Sequence, residues 1–379
     1  MKPRELPWKW LLLGLGVLGL GAVLLPRLIG DTAQLGDRTA AHLSTWIGGE
    51  VKLTGPVKIS YFPDISVTAG LRLEGSKRLP MVRSIVVEEA KISLDLADLL
   101  RGRISVDALK LTRPVVTLAE AGASPVPGGA EPQTFAAGFA DGVPVSAVHV
   151  RAGELIVPTA AGSETVKNIN AHFDASGRAG SVSGFGKLVW RDVAIRFAVD
   201  SGTVANAADG PGLPIALTLN SEPFKAKISG TASLADGFAL DGDMQAKVDD
   251  VRRLLVWVGI PVAEGQGLKG LTASGAFHLA GPTLSFDDGT FSLDGNTAVG
   301  LLAVTAGPRP RVEGTLAFDR MTLDPYLPAS QTVAGQGGVP SPSEGSAFDW
   351  PLVRSLDADL RLSAGEINAG ALKLGRGAI

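Results

Sequence analysis

The 379-residue sequence has no cysteine, only two tyrosines and four histidines, and aromatic residues make up just 6% of it. Without cysteine there is no disulfide, no thiol nucleophile and no thiolate ligand for zinc. A chain of this length can instead be stabilised by burial alone. Charge is also sparse, at 19% against the ~25% usual for a soluble domain, and the formal net charge is −3. No global basic field would draw such a chain to nucleic acid. His42, His149, His172 and His278 stand far apart in sequence and none has the HExxH spacing of a zinc protease. No GxSxG elbow and no SxxK pair occurs either. Neither an enzyme, a cofactor nor a metal is expected.

Apolar residues are plentiful at 45%, as is glycine with 48 residues. They are spread along the chain, which excludes wholesale disorder and favours many short strands joined by glycine turns. One apolar run stands out. From Leu11 to Leu25 there is no charged or polar side chain. Trp8 and Trp10 extend the run as interfacial aromatics, and Arg27 can snorkel to the far headgroups. Lys2, Arg4 and Lys9 precede it and place the N-terminus in the cytoplasm, with the rest on the other side. The length also suits a signal peptide. However, cleavage after Ala33 would put Asp31 where a small residue is wanted, so an uncleaved anchor over residues 1–29 is expected.

After the anchor, Asp31 and Thr32 read as a helix cap. Leu35, Thr39, Leu43, Trp46 and Ile47 share a helical face, and Gly48-Gly49 end the helix. Period-2 alternation then takes over, the signature of half-buried antiparallel strands. It puts Val57, Ile59, Leu71, Leu73, Ile92, Leu94, Ile104 and Val106 on one face, with Lys58, Arg72, Ser93 and Ser105 on the other. The resulting organisation is a helix and β module over 30–120, an Ala/Gly/Pro-rich linker at 121–142, a longer β region over 143–330, a second linker at 331–347, and the start of a further β unit over 348–379 that reads as truncated. One helix is expected within the long region, from an Asp249 or Asp250 cap to a Gly259 stop.

The remaining motifs are weak. Gly14-Gly16-Gly19 lies inside the apolar run. Gly265-Gly267-Gly270 follows a helix and precedes a strand, the reverse of a dinucleotide site. Gly186-Lys187 is followed by leucine, not by the Ser or Thr of a phosphate loop. Asp241-Gly-Asp243, Asp287-Asp288-Gly289 and Asp294-Gly295-Asn296 lack the EF-hand ligand spacing and read as turns.

Several stretches in order resemble the AsmA family of bacterial envelope proteins. They are the basic residues and apolar run, the strands from Gly48 to Gly75, the Leu99–Arg103 turn followed by Arg113-Pro114, the segment 248–279, the segment 291–328 with Asp294-Gly295-Asn296 and Pro308-Arg309-Pro310, and the stretch 355–379. The resemblance covers nearly everything but the linkers. It implies a mainly β fold, with a transmembrane helix followed by an elongated, curved antiparallel β-sheet groove and a few short helices. It also implies a protein of the bacterial inner membrane with its bulk in the periplasm. Such a protein would bind or conduct phospholipid, with the eight alternating residues above as groove lining, and would support outer-membrane lipid homeostasis alongside lipid transport components. The alternative is a non-catalytic factor for outer-membrane protein assembly. Periodicity alone leaves a closed sandwich open, because it does not distinguish a filled core from a lined groove.

Overall fold

The computed structural model describes residues 48–119, 145–326 and 356–378 apart from short gaps (62–64, 77–81, 96–97, 99–100, 102–104, 160–161, 176–180, 203–211, 234–238, 263–266 and 308), together with helical residues between 38 and 45. Residues 1–37, including Trp8, Trp10 and Arg27, lie outside the described residues, as does Ile104. Among the described residues no helix is long and apolar enough to cross a membrane.

The protein is mainly β. Among the described residues eighteen strands fall into two compact units. The first unit holds β1 (Glu50–Ser60), β2 (Ser66–Glu74), β3 (Val82–Leu94), β4 (Val106–Leu118), most of β5 (Val145–Thr159) and the later part of β6 (Gly162–Asp174). β1 to β4 pair antiparallel in sequence order, and β5 then pairs parallel to β4. One face of these strands forms a core of Val51, Ile65, Val67, Leu71, Leu73, Val87, Ala90, Ile92, Leu94, Val106 and Val145. Leu43 of the preceding helical segment packs into it. Gly48, at φ 68°, ends that segment in the left-handed conformation that glycine tolerates.

The second unit contains β7 (Ser183–Trp190), β8 (Val193–Ser201), β9 (Leu213–Asn220), β10 (Lys225–Ser233), β11 (Ala239–Val248), helix α1 (Val251–Val258), β12 (Leu271–Ala280), β13 (Thr283–Leu293), β14 (Asn296–Thr305), β15 (Arg311–Thr322), β16 (Asp357–Ala369), β17 (Leu372–Leu374) and β18 (Gly377–Ala378). From β7 to β15 each strand pairs antiparallel with the next. β16 joins β15 in parallel, and β17 and β18 return antiparallel along β16.

The strand pairing is therefore mixed in both units, where the sequence suggested antiparallel pairing throughout. The reason is visible in chain length. A parallel neighbour needs a crossover of a dozen or more residues. The two parallel joins fall where such lengths occur, between Leu118 and Val145 and between Thr322 and Asp357. These are the intervals that contain the Gly/Pro-rich stretches at 121–142 and 331–347.

Helix α1 has the expected boundaries. The Asp250 carboxylate accepts from the Arg253 amide, and Gly259 at φ 93° closes the last turn. The helix is fastened to the β7–β8 turn. The Trp257 indole donates to the Trp190 and Arg191 carbonyls, and Arg191 donates to the Trp257 carbonyl and to Glu164. Glu164 is held below the ordinary carboxylate range, chiefly by its hydrogen bond from Arg191.

Candidate functional site

In the second unit the inward-facing residues line up strand by strand. One register row runs Phe197, Leu219, Ala226, Ala246, Ala273, Phe291, Ala298, Phe318, Ala364, across β8 to β16. A second runs Leu213, Ala232, Leu240, Leu279, Leu284, Val304, Val312, Ala358, from β9 to β16. Directly opposed residues share a face, so these are two continuous apolar walls without a charge. At ~4.8 Å per strand the longer spans about 40 Å.

Two further rows lie between the walls. They contain Gly230, Gly242, Gly275, Gly289, Gly300 and Gly314, interspersed with Leu217, Ile228, Met244, Phe277, Phe286, Leu302 and Leu316. Six glycines sit on the middle rows and none on the walls. Glycine inside a strand weakens it and commonly marks close approach by another group. Here a Cβ on Gly230, Gly242, Gly300 or Gly314 would meet a backbone oxygen of the neighbouring strand within 2.4 Å, and one on Gly289 would meet the Phe291 ring, so the glycines let the strip pack closely across the strands. Register shifts at Ser274/Phe277 and Phe286/Gly289 bend β12 and β13 at the same place. Phe277, Phe286 and Phe291 pack there, the last two edge to face with centroids 5.3 Å apart.

This face is only partly covered. Its interior residues are mostly half-buried, and the cluster around Phe286 is supplied entirely by strands of the same sheet. Among the described residues no helix or strand lies across it, and β7 and β16 make no closing pair. The opposite face is polar for the most part, with Val299, Leu301 and Phe185 exposed.

The eight residues expected to line a groove are in the first unit. Leu71, Leu73, Ile92, Leu94 and Val106 are brought together in its core, with Ile59 packed at the margin. Val57 is separated from them and 39% exposed, because it lies inside the bulge between Thr54 and Lys58, where three residues of β1 stand opposite one of β2. Ser93, expected to face outward, is buried, as is Ser66 opposite it. On the other face of this unit, register shifts in β1, β2 and β3 and the left-handed residues Gly55, Arg113 and Ala152 fall side by side. They open a cleft of about 680 Å³ lined by Lys58, Thr68, Glu88, Glu89, Arg113 and Glu154. Arg113 binds Glu88 through two hydrogen bonds.

The acidic turn motif turns out to be a clasp. Asp294 (φ 52°) and Gly295 (φ 85°) form the β13–β14 turn. The Asp294 carboxylate accepts from the Leu268 amide at 2.7 Å, the Lys269 amide at 2.8 Å and the Tyr326 hydroxyl at 2.7 Å. Burial, and then this carboxylate, push the Tyr326 phenol well above its ordinary range. Asn296 exchanges two hydrogen bonds with the Thr322 backbone. Gly267 of the glycine motif packs under the Tyr326 ring, where a Cβ would sit 2.5 Å from ring carbons. Gly186-Lys187 lies mid-strand in β7.

The structure also joins residues that sequence distance had separated. The Nδ1 atoms of His149 and His172 are 3.1 Å apart. His278 contacts Asp241 at 2.5 Å. Among the described residues no group of three His, Asp or Glu side chains is placed to hold a metal.

Comparison of the chain with protein-family models, with curated proteins and with solved structures finds no match.

Proposed function

We propose that this chain is a non-catalytic protein of the bacterial envelope, held in the inner membrane by residues 1–29, whose second unit binds phospholipid through its acyl chains. The glycine-floored strip between two charge-free apolar walls supports this reading. A partly covered apolar surface of this extent normally marks a binding surface. Each methylene buried contributes ~0.8 kcal/mol. An acyl chain with half its methylenes covered would gain on the order of 5 kcal/mol before ordering costs. Because the rows repeat the same apolar chemistry from strand to strand, a chain sliding along the strip would meet nearly constant energy. That favours conduction over tight storage, and fits the supply of lipid to an outer membrane that the AsmA resemblance implies.

The test compares adjacent residues on opposite faces. A photo-crosslinker at Leu302 or Leu217 should capture phospholipid, identified by mass spectrometry. One at Leu301 or Thr218 should not. Leu301 is the sharper control, since it is apolar and 46% exposed but faces away. Equal labelling at Leu301 and Leu302 would sink the reading. Crosslinks at Leu302 to protein chains in place of lipid would favour an assembly factor.

A further inference from the structure

The outward face of the first unit carries a line of basic side chains that the sequence does not reveal. Lys58 on β1 stands opposite Thr68, Thr68 opposite Lys91, Lys91 opposite Lys110, and Lys110 opposite His149. His149 touches His172 on β6. Three of the six positions on this row are lysines and two are histidines. Their strand neighbours Ile59, Val67, Ile92, Leu109 and Val148 belong to the core side, so the row points away from the core.

Such a row is costly. Like charges directly opposed on a sheet destabilise it, and Lys91 faces Lys110. Several arginines elsewhere sit against carboxylates: Arg72 with Glu74, Arg113 with Glu88, Arg191 with Glu164, Arg253 with Glu222, Arg309 with Asp357. Opposed like charges recur in the second unit, Lys187 with Arg196 and Lys225 with Lys247. Lys58, Lys91 and Lys110 make no ion pair among the described residues. Beside it on that face, Glu89 and Arg151 offset each other across Thr112, Glu88 is bound by Arg113, and Glu154 is the remaining carboxylate of the cleft that Lys58 borders. The row beyond it on the other side holds Ser60, Ser66, Ser93, Ala108 and Ala147 and adds no charge.

We propose that this row is a docking edge for the headgroup plane of an anionic phospholipid bilayer. The row is linear and spans five strand spacings, about 24 Å. A single phosphate would engage only two adjacent members, whereas a plane of phosphates engages all of them. Lysine suits such a surface, because its ammonium is a mobile point charge that needs no fixed geometry. No aromatic side chain is interleaved along the lysines, as a stacking platform for single-stranded nucleic acid would require. The proposal stands apart from acyl binding by the second unit.

The experiment reconstitutes the full chain in phosphatidylcholine vesicles and measures capture of a second, fluorescent vesicle population. Phosphatidylglycerol vesicles should be captured and phosphatidylcholine vesicles should not. The double variant Lys91→Gln/Lys110→Gln should weaken capture by roughly 30-fold, about fivefold per lysine at an anionic surface. Lys91→Arg/Lys110→Arg should retain it. The glutamine variant should melt no lower than the parent, since it removes an opposed like-charge pair, and this separates lost docking from lost folding. Equal capture of both vesicle types, or unchanged capture by the glutamine variant, overturns the proposal. So does release by inorganic phosphate at matched ionic strength, which would make the row a site for the free anion. Absence of phosphatidylglycerol vesicle capture by the unaltered chain, with Leu302 crosslinking to lipid intact, would break this proposal alone.

Discussion

The two units are built from the same alternation and differ in what covers it. In the first, Val67, Ala90 and Ile92 are completely shielded and Leu73 nearly so. Leu43, from outside the sheet, closes one side. In the second, Ile215, Leu217, Ile228, Met244 and Leu302 point to a common face yet remain half-buried, and nothing described lies over them. Period 2 tells which residues share a face. It is silent about the second layer, and the second layer decides between a core and a binding surface.

The comparison can be broken by mutation. Ile92→Ala removes a fully shielded side chain and should cost about 3 kcal/mol. Leu302→Ala removes a half-covered one and should cost about 1 kcal/mol or less, because little of its surface leaves water on folding. Hydrogen exchange resolved to each unit, read against urea, measures both. Similar losses at the two sites would mean that the second unit's face is packed as tightly as the first unit's core.

Much of this architecture was legible in the sequence. The caps of α1 were readable because Asp250 and Gly259 act locally. The Gly/Pro-rich stretches were readable too, and they span the intervals where parallel joins demand length. What was hidden depends on register. Val57 left its expected face because it falls inside a bulge, where three residues of β1 stand opposite one of β2. His149 and His172 meet only through strand pairing, 23 residues apart. The basic row is invisible in the chain, since its members are spread from residue 58 to residue 172 on separate strands. The glycine floor is likewise a property of aligned strands and not of any one of them. Asp294-Gly295-Asn296 was readable as a turn, but its grip on Tyr326 was not, because that contact crosses 32 residues.

If the second unit lacks a sealed core, its turns must contribute more of its stability. Asp294→Ala removes three hydrogen bonds accepted by one carboxylate and should cost about 2 kcal/mol, in the range for bonds to charged groups. Exchange of the Leu268 and Lys269 amides should accelerate most. The Tyr326 phenol should titrate lower than in the parent. It should still lie above ~10, the ordinary phenol value, because burial is the larger cause of its shift and remains. An unchanged Tyr326 titration would show that the carboxylate does not hold the ring, and would return the second unit's stability to its sheet.

The smallest expected effect is in acid, and it should be confined to the first unit. Burial holds the His149 imidazole below its ordinary value, and the neighbouring His172 and Lys110 add to this. The unfolded chain takes up a proton at about pH 6.5, and the folded chain resists it until lower pH. The stability this group contributes is therefore fully present above about pH 6.5 and falls as the pH drops through that value toward the folded-state pKa. Exchange protection of the first unit's core amides, such as those of Val67 and Ile92, should decline over this window. His149→Gln should flatten the decline, since a side chain that does not titrate cannot couple to pH. Lys110→Gln should flatten it in part, by removing the lesser, electrostatic cause while leaving burial. A decline that survives His149→Gln undiminished would locate the acid sensitivity elsewhere, and the imidazole pair would then be a contact without a pH consequence.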